Sequence, residues 1–264
     1  MMSVRADLHI HTGLSPCASE EMTPPAIVSE AIRKGLHMIA ICDHNSAGNV
    51  QAVMAAAAAA VRAEAANAEI AATAGVSGVA EIAVVPGMEI TTSEEVHVLG
   101  LFPNFSSAGS AADEVLNTLP AGESPDHPEG QFLFDEEGRV VGRERRMLFS
   151  ASTFGLSDAV ALVRRHGGLA VASHVDRPSF SVLSQLGVFP GDVRFDALEI
   201  SAAGRARGRH RDFLSAGLPL VSSSDSHYLD DIGSGYTVLE VAEPTFDELR
   251  LAFQNTGERR CYLA

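Results

Sequence analysis

The chain alternates between short apolar runs and longer segments in which apolar residues recur at helical spacing. The run His37–Cys42 is apolar on both faces, as a strand buried in a parallel sheet should be. Thr23 and Pro24 suit the cap and first position of a helix in which Ile27 and Ala31 share one face. Because strand-then-helix units recur, we predict an α/β fold with one barrel-like, mainly parallel sheet. The predicted strands span residues 6–12, 37–42, 83–90, 95–102, 169–174, 195–200, 219–223, 236–241 and 261–263, and helices are predicted at 23–35, 50–74, 157–166, 205–216 and 245–253.

The segment from Pro103 to Ser157 has a poor pattern. It holds a short helix candidate (111–119), a Gly/Pro-rich loop (121–130) and a hairpin candidate (131–141). A segment this long inside a compact domain is usually a lid or an insertion. Since metal-type residues occur on both sides of it, we predict one domain over residues 1–264 with an insertion or lid at about 103–157.

The amino-acid composition limits which binding partners and which cellular compartment we expect for this protein. The formal net charge of −15 argues against loose binding to nucleic acids or to anionic membranes, because such binding requires a basic face on the protein. Neither duplex nucleic acid nor a membrane is therefore an expected partner. The three cysteines form no spaced framework, and the first residues lack an apolar leader. The apolar run 52–74 is too polar to span a bilayer. We therefore expect a cytoplasmic protein; its oligomeric state is not indicated.

Histidines and carboxylates stand where the predicted strands end. His9 and His11 are two residues apart, so their side chains share one face of the first strand, and Asp225 and His227 repeat this spacing. An isolated His-x-His pair is equally compatible with an ordinary core pair. In a barrel, however, the carboxyl ends of the strands converge on one mouth, and such donors suit zinc, iron or manganese. The residues concerned are His9, His11, His44, Glu89, His174, Asp225 and His227 at strand ends, and His97 within a strand.

Other polar residues near these positions have two interpretations each. Asp7 and Asp43 either orient neighbouring histidines or cap loop backbone. Glu199 is either a supporting carboxylate or a surface residue. Cys17 is a possible ligand, although a small buried residue is the commoner role of a free cysteine. Glu89, which closes Val85-Pro86-Gly87-Met88-Glu89, is the natural candidate for a carboxylate shared between metals.

Six short motifs follow one another along nearly the whole chain. In this order they resemble the motifs of the PHP (polymerase and histidinol phosphatase) superfamily. The resemblance implies a distorted (βα)7 barrel with a trinuclear metal site that hydrolyses phosphate esters. The motifs are Asp7-Leu8-His9-Ile10-His11-Thr12, Cys42-Asp43-His44-Asn45, Pro86-Gly87-Met88-Glu89-Ile90, the strand with His97, Ala172-Ser173-His174 and Ser224-Asp225-Ser226-His227.

The resemblance also implies how the ligands are shared. His9, His11, Glu89 and Asp225 would hold one metal, Glu89, His97 and His174 a second, and His44 and His227 a third together with a residue of the first loop. Many superfamily members have Ser-Asp-Gly or a histidine in that loop, whereas this chain has Ser19-Glu20-Glu21. Glu21 is favoured over Glu20 because it is nearer to the start of the helix.

The expected activity is therefore that of a metal-dependent phosphoesterase with three divalent transition metals (Mn, Fe or Zn). A metal-activated water would attack a phosphate monoester or diester of a small metabolite or nucleotide. Glu89, Asp225 and His227 are the expected catalytic residues, and Arg177 and Arg205 the expected phosphate-binding residues. For Arg205, a solvated helix face is the commoner role. The alternatives are an exonuclease or oligonucleotide hydrolase of the same superfamily, and a non-catalytic metal-binding module.

Overall fold

The computed structural model describes residues 1–71, 82–122 and 130–264, without the side chains of residues 64–71. The strands are β1 (Met2–Ile10), β2 (Met38–Ile41), β3 (Ala83–Thr91), β4 (His97–Leu101), β5 (Phe132–Phe134), β6 (Val140–Arg143), β7 (Leu169–Ala172), β8 (Ala197–Ser201), β9 (Leu220–Ser223), β10 (Thr237–Val241) and β11 (Arg260–Leu263). The α-helices are α1 (Pro24–Arg33), α2 (Val50–Ala71), α3 (Phe105–Leu116), α4 (Leu156–Arg165), α5 (Val182–Leu186), α6 (Ala202–Ala206) and α7 (Phe246–Phe253), and 3₁₀ helices span Arg209–Ala216 and Leu229–Asp231.

One sheet has the strand order β11-β10-β1-β2-β3-β4-β7-β8-β9 and curls into a nearly closed barrel. The backbone N–H of His11, just past β1, donates to the carbonyl of Ser226, just past β9, at 3.0 Å. A parallel bridge also joins Ile10 to Ser226. These contacts bring the two ends of the seven-strand run β1-β2-β3-β4-β7-β8-β9 together. The predicted α/β barrel is therefore confirmed.

The sheet is less parallel than the sequence pattern suggested. β4 is antiparallel to both β3 and β7, and β10 is antiparallel to β1 and β11. The reason for β4 is its short connection: the turn between Thr91 and His97 is too short for a parallel crossover, which needs a dozen or more residues. As a result, the first residue of β4, rather than its last, lies at the edge where parallel strands end.

Two apolar clusters lie on opposite faces of the sheet. Along β2, Ile39 and Ile41 belong to the cluster that includes residues of α1 and α4, whereas Met38 and Ala40 belong to the cluster formed by the other barrel strands and α7. β2 is thus buried on both faces, as its apolar run predicted. Both clusters hold the strands rigidly, which fixes the positions of the polar residues at the strand ends.

Most predicted helices are present, with shifted ends. α3 begins at Phe105, before the predicted start, because the Asn104 side chain accepts from the Ser107 N–H and caps it. The predicted helix over 205–216 is wrong: Gly208 adopts φ 77° and separates α6 from a 3₁₀ helix. The predicted end of the second helix, at residue 74, and most of the loop 121–130 lie outside the described residues. Within the described part of the chain, none of the helices combines the length and apolarity needed to cross a membrane.

The segment 103–157 packs against the loops that follow β1 and β2. The Asn45 side-chain amide donates to the carbonyls of Leu148 and Ser150, at 2.9 and 3.0 Å. The Asn49 amide donates to the Phe132 carbonyl at 2.9 Å. The segment is therefore tied to the edge of the barrel at which β1 and β2 end.

Candidate metal centre

The barrel brings eight candidate ligands to a single edge. β1, β2, β7 and β9 run in the same direction, so His9 in the strand and His44, His174 and Asp225 just beyond the strand ends meet there. Antiparallel β4 places His97 at the same edge, opposite Thr91 near the end of β3. Glu89 lies in β3, and His11 and His227 complete the set.

The first cluster contains His9, His11, Glu89 and Asp225, whose donor atoms all lie within 4.8 Å of one another. Oδ1 of Asp225 lies 3.3 Å from Nε2 of His9 and 3.0 Å from Nε2 of His11. The two Nε2 atoms are 3.1 Å apart. All four residues are buried or nearly so, and this is the set that the superfamily resemblance assigned to one metal.

Glu89 lies in the middle of the candidate ligands, and each of its two carboxylate oxygens faces imidazole nitrogens. Oε1 is 2.9 Å from Nδ1 of His97 and 3.2 Å from Nε2 of His174. Oε2 is 3.0 Å from Nδ1 of His44 and 3.6 Å from Nε2 of His11. This is the geometry expected of a carboxylate shared between metals.

A second cluster consists of His44, Glu89 and His97, and a third of His11, His44 and His227; within each cluster the donor atoms lie within 4.8 Å of one another. The rings of His11 and His227 are stacked with centroids 4.2 Å apart. His44 is a member of both the second and the third cluster. His227 is the most exposed of these imidazoles, at 21% of its side chain.

The donor set fits divalent cations better than it fits protons alone. Nδ1 of His9 bonds to Glu199 and Nδ1 of His11 bonds to Ser15, so the two Nε2 atoms face each other with their lone pairs when the rings are neutral. Such an arrangement is repulsive unless a cation is shared. Nδ1 of His97 and of His44 is buried and faces a Glu89 oxygen without hydrogen-bond geometry. The buried ligands therefore fit the metals that the superfamily resemblance implies.

Glu199 supports the centre, a role that the sequence analysis gave as one of two interpretations. Its two oxygens lie 3.1 and 3.2 Å from Nδ1 of His9, and one accepts from the backbone N–H of His174 at 3.0 Å. It is fully buried on β8. A carboxylate on the distal nitrogen fixes the tautomer and orientation of a ligating histidine. The available signal was a charged residue inside the apolar run of a buried strand.

Asp43 and Asp7 cap loop backbone. Asp43 accepts from the Thr12 N–H at 2.8 Å and from the Ser15 hydroxyl at 2.7 Å, and Ser15 in turn accepts from Nδ1 of His11. Asp7 accepts from the backbone N–H groups of Ser224 and Gly233. Burial raises the pKa of Asp7 to about 6, although these hydrogen bonds oppose the rise. Asp43 thus orients His11 indirectly, through a hydroxyl.

Opposite charges dominate the electrostatics of the metal-free centre. Burial alone would lower the pKa of His9, but the charges of Glu199, Asp225 and Glu89 outweigh it and raise this pKa well above its ordinary value. The pKa of His44 rises to about 10 against the effect of burial. Burial opposes ionisation of Glu89 as well, yet the surrounding imidazoles hold its pKa well below its usual range. The buried carboxylates and imidazoles therefore shift one another's pKa values in opposite directions.

The first loop differs from the expectation. Glu21 and Glu20 are both exposed and neither joins the three clusters, so the structure does not bring the expected ligand Glu21 to the centre. The short turn in which the Met22 N–H donates to the Ser19 carbonyl turns both carboxylates outward. Cys17 is also exposed, but its thiol interacts with the centre: desolvation raises the pKa of this thiol, and interactions with His227 and His44 outweigh that effect and lower it to about 6.

The two arginines predicted to bind phosphate differ in position. Arg177 forms a 2.5 Å ion pair with Oδ2 of Asp225 and keeps 38% of its side chain exposed. Arg205 lies on α6, and no ion pair or side-chain hydrogen bond links it to the three clusters within the described ranges. Only Arg177 therefore contacts the centre.

Comparison with known families gives two matches along the chain. The PHP domain model matches residues 7–167, which is more than half of the chain, and the PHP-associated model matches residues 214–255. No curated protein matches the chain. All the candidate ligands except His174, Asp225 and His227 lie within the matched PHP domain.

Solved structures of the same fold have low sequence identity to this chain. The lesion-specific endonuclease EndoQ of Pyrococcus furiosus superposes with a TM-score of 0.65 at 20% identity, covering 98% of this chain. This chain corresponds to only 58% of the endonuclease chain. A protein of Bifidobacterium adolescentis, provisionally classed as a metal-dependent phosphoesterase, gives a TM-score of 0.51 at 19% identity over 84% of this chain and 87% of its own.

The expected exclusion of duplex nucleic acid is wrong. Endonuclease Q has the same fold, with a TM-score of 0.65 at 20% identity over 98% of this chain and 58% of its own, and its structure holds a 27-mer duplex with an abasic lesion at the active site. A negative net charge reports on the whole surface and not on the mouth of one site, so it does not exclude such a partner.

The fold, the ordered motifs and the PHP domain match agree. This chain belongs to the PHP domain family of metal-dependent hydrolases.

Proposed function

We propose that the chain hydrolyses phosphate ester bonds in nucleotides or nucleic acids, with divalent transition metals held by its three clusters. The observation that carries the proposal is the sharing of Glu89 among five imidazoles at one barrel mouth. Endonuclease Q, which shares the fold, acts on a nucleic acid, and this supports a phosphodiester over a small metabolite.

The assignment of ligands follows the superfamily resemblance: its first set equals one cluster, and His174 lies outside the three clusters but 3.2 Å from Oε1 of Glu89. His9, His11, Glu89 and Asp225 would hold one cation, Glu89, His97 and His174 a second, and His44 and His227 a third. Bound divalent metal supplies a lowered pKa for water, about 7 in the best cases, and offsets charge that develops on phosphoryl oxygens. Manganese, iron and zinc all suit imidazole and carboxylate ligands.

The protein's own residues prepare the centre for this chemistry. Glu199 accepts a hydrogen bond from Nδ1–H of His9 and so directs Nε2 of that ring inward. Ser15 does the same for His11. Arg177 would bind the phosphate at the edge of the centre, because its partly exposed guanidinium can bond to two phosphoryl oxygens at once.

We further propose that Cys17 completes the third cluster. Cys17, Glu20 and Glu21 are all exposed as residues, but of the three only the Cys17 thiol interacts with His44 and His227. A thiolate beside two imidazoles favours zinc or iron over manganese, because sulfur is the softer ligand. The third position would then differ in metal preference from the two carboxylate-containing positions.

A phosphomonoester of a small metabolite is the second candidate substrate. It is favoured by the single arginine at the centre, since a terminal phosphate needs one bidentate partner whereas a long polyanion usually meets several basic residues.

Hydrolysis assays on metal-loaded protein test the proposal. The substrates are a single-stranded oligonucleotide, duplexes with and without an abasic site, a nucleoside monophosphate and glycerol phosphate. His174→Ala removes a ligand next to Glu89, and His166→Ala, a surface histidine paired with Glu114, is the matched control. We expect His174→Ala to lower kcat/KM about 100-fold or more and His166→Ala to leave it within twofold.

The pattern of activity decides between the candidates. Cleavage of oligonucleotides supports the proposal, and activity confined to monophosphates supports the small-substrate candidate. A wild-type protein no faster than His174→Ala on every substrate would mean a metal-binding module without catalysis.

A further inference from the structure

Phe180 is an exposed aromatic residue in a strained backbone conformation beside the candidate metal centre. Its φ is 55°, in the left-handed region that bulky side chains rarely adopt, and 41% of its surface is exposed. Its ring stacks on the imidazole of His97, with centroids 4.6 Å apart and planes 23° apart. His97 contacts Glu89 at 2.9 Å, so Phe180 lies one side chain away from the shared carboxylate.

Three hydrogen bonds hold this conformation. The Phe180 carbonyl accepts from the backbone N–H of His97 at 2.9 Å. The Ser181 hydroxyl donates to the Arg177 carbonyl at 2.8 Å and accepts from the Ser184 N–H, which caps α5. The segment from Arg177 to Ser181 is therefore a fixed turn, and the same turn carries the one arginine that reaches Asp225.

Folding stability does not explain this arrangement. A phenylalanine buried in the core would gain free energy from burial, whereas this ring stays partly in water. A positive φ at a bulky residue adds a further cost. Two unfavourable local features that persist beside a functional site indicate that the site uses them.

We propose that Phe180 is a specificity-determining residue that packs against a flat ring in the alcohol part of the substrate, such as a nucleobase. Arg177, three residues earlier in the same turn, meets the phosphate. One aromatic side chain and one guanidinium thus recognise the two ends of a nucleotide unit. The inference rests on the proposed function, because it takes the substrate to be a phosphate ester, and it deepens that function by naming the substrate class.

The competing explanation is that Phe180 only shields His97 from water. Leucine would shield His97 as well but offers no aromatic face, whereas tyrosine keeps the face. Phe180→Leu and Phe180→Tyr therefore separate the two explanations. Stacking of a base on an aromatic side chain is sequence-tolerant and is lost when the ring is removed.

The experiment is equilibrium binding to zinc-loaded protein, with metal content measured for each variant. The probes are the phosphonate analogues of adenosine 5′-monophosphate and of ribose 5-phosphate, in which carbon replaces the bridging oxygen so that no hydrolysis occurs. We expect wild type and Phe180→Tyr to bind the adenosine analogue about tenfold or more tightly than the ribose analogue. Phe180→Leu should bind the two within about twofold.

Three results would overturn the assignment. They are a wild type without preference for the base, a preference that persists in Phe180→Leu, and a loss of both ligands together with metal in Phe180→Leu. Hydrolysis is assayed on the same proteins, so that a failure of the proposed function appears as absent turnover while the binding preference stays.

Discussion

At the scale of single residues, the orientation of the imidazoles is set by groups that touch no substrate. Glu199 fixes His9 through Nδ1, and Ser15, itself held by Asp43, fixes His11. Second partners of this kind raise the basicity of the ligand and reduce the cost of ordering it. The centre therefore depends on Glu199 and Ser15, which lie outside the six motifs.

Glu199→Gln tests this dependence. The substitution keeps the size of the side chain but removes its charge, so it should weaken metal affinity about 10- to 100-fold. Competition with a chromophoric chelator measures the affinity. Glu243→Gln changes an exposed carboxylate and is the matched control. Equal affinity in Glu199→Gln and wild type would contradict the role of Glu199.

Cys17 gives a second prediction at this scale. If its thiolate is a ligand, cobalt-loaded protein should show a sulfur-to-cobalt charge-transfer band in the near ultraviolet. Cys17→Ser should lose the band, and Glu21→Gln and Glu20→Gln should keep it. A band that survives in Cys17→Ser, or one that never forms, would remove Cys17 from the ligand set.

The sequence predicted which histidines meet at the barrel mouth, because their spacing on strands is visible in the chain. It did not predict which first-loop side chain turns inward, since that depends on the turn between Ser19 and Met22. Phe180 was also missed, because nothing in a single sequence marks a positive φ at phenylalanine.

At the scale of elements, local patterns placed the strands well and their directions less well. The buried runs β2, β7 and β9 were recognisable from composition. The reversal of β4 follows from a short connection rather than from its own residues. The predicted single helix over 205–216 failed because Gly208 takes a left-handed conformation, which a helical pattern of neighbours does not reveal.

Gly87 shows how one element positions the site. A Cβ at this residue in β3 would lie 2.7 Å from the Cys42 sulfur and 3.0 Å from the Ile41 carbonyl. Gly87→Ala should therefore push β2 and β3 apart, destabilise the fold by about 1–3 kcal/mol and displace Glu89. Thermal unfolding and metal content measure the two effects.

Gly109 provides the matched control for this prediction. It lies within α3, where an added Cβ would meet only Phe105 at 3.9 Å. Gly109→Ala should stabilise the helix by roughly 0.5–1 kcal/mol. A Gly87→Ala variant that is as stable and as metal-rich as Gly109→Ala would refute the packing argument.

At the scale of the whole molecule, the barrel concentrates charges that only cations can balance. The pKa of His44 is about 10, so this imidazole carries a second proton at neutral pH, and neighbouring carboxylates and the Cys17 thiol also raise the pKa values of His9 and His227. Ligating histidines must be neutral, so metal binding has to displace these protons. Acid should therefore compete with metal, and base should favour it.

The competition between protons and metal predicts how metal affinity depends on pH. Because the pKa of His44 is about 10, affinity for zinc should rise as pH increases from 6 to 9, about tenfold per pH unit for each proton released. Titration calorimetry in two buffers with different ionisation enthalpies counts the released protons. An affinity that stays constant over this range, with no proton release, would contradict the charge balance described for the metal-free centre.

The overall architecture was predictable because strand-type and helix-type patterns alternate along most of the chain. The expected partners were less predictable, since net charge averages over the surface and says little about one barrel mouth. The acidic composition led to the exclusion of duplex nucleic acid, which the endonuclease Q complex with the same fold contradicts.

The number of metals per chain tests the central claim most directly. Elemental analysis of protein purified without chelator, before and after loading with zinc, iron or manganese, should give three divalent transition metals per chain and fewer in His174→Ala. Protein that binds none of these metals after loading would contradict the assignment of the three clusters as a metal centre.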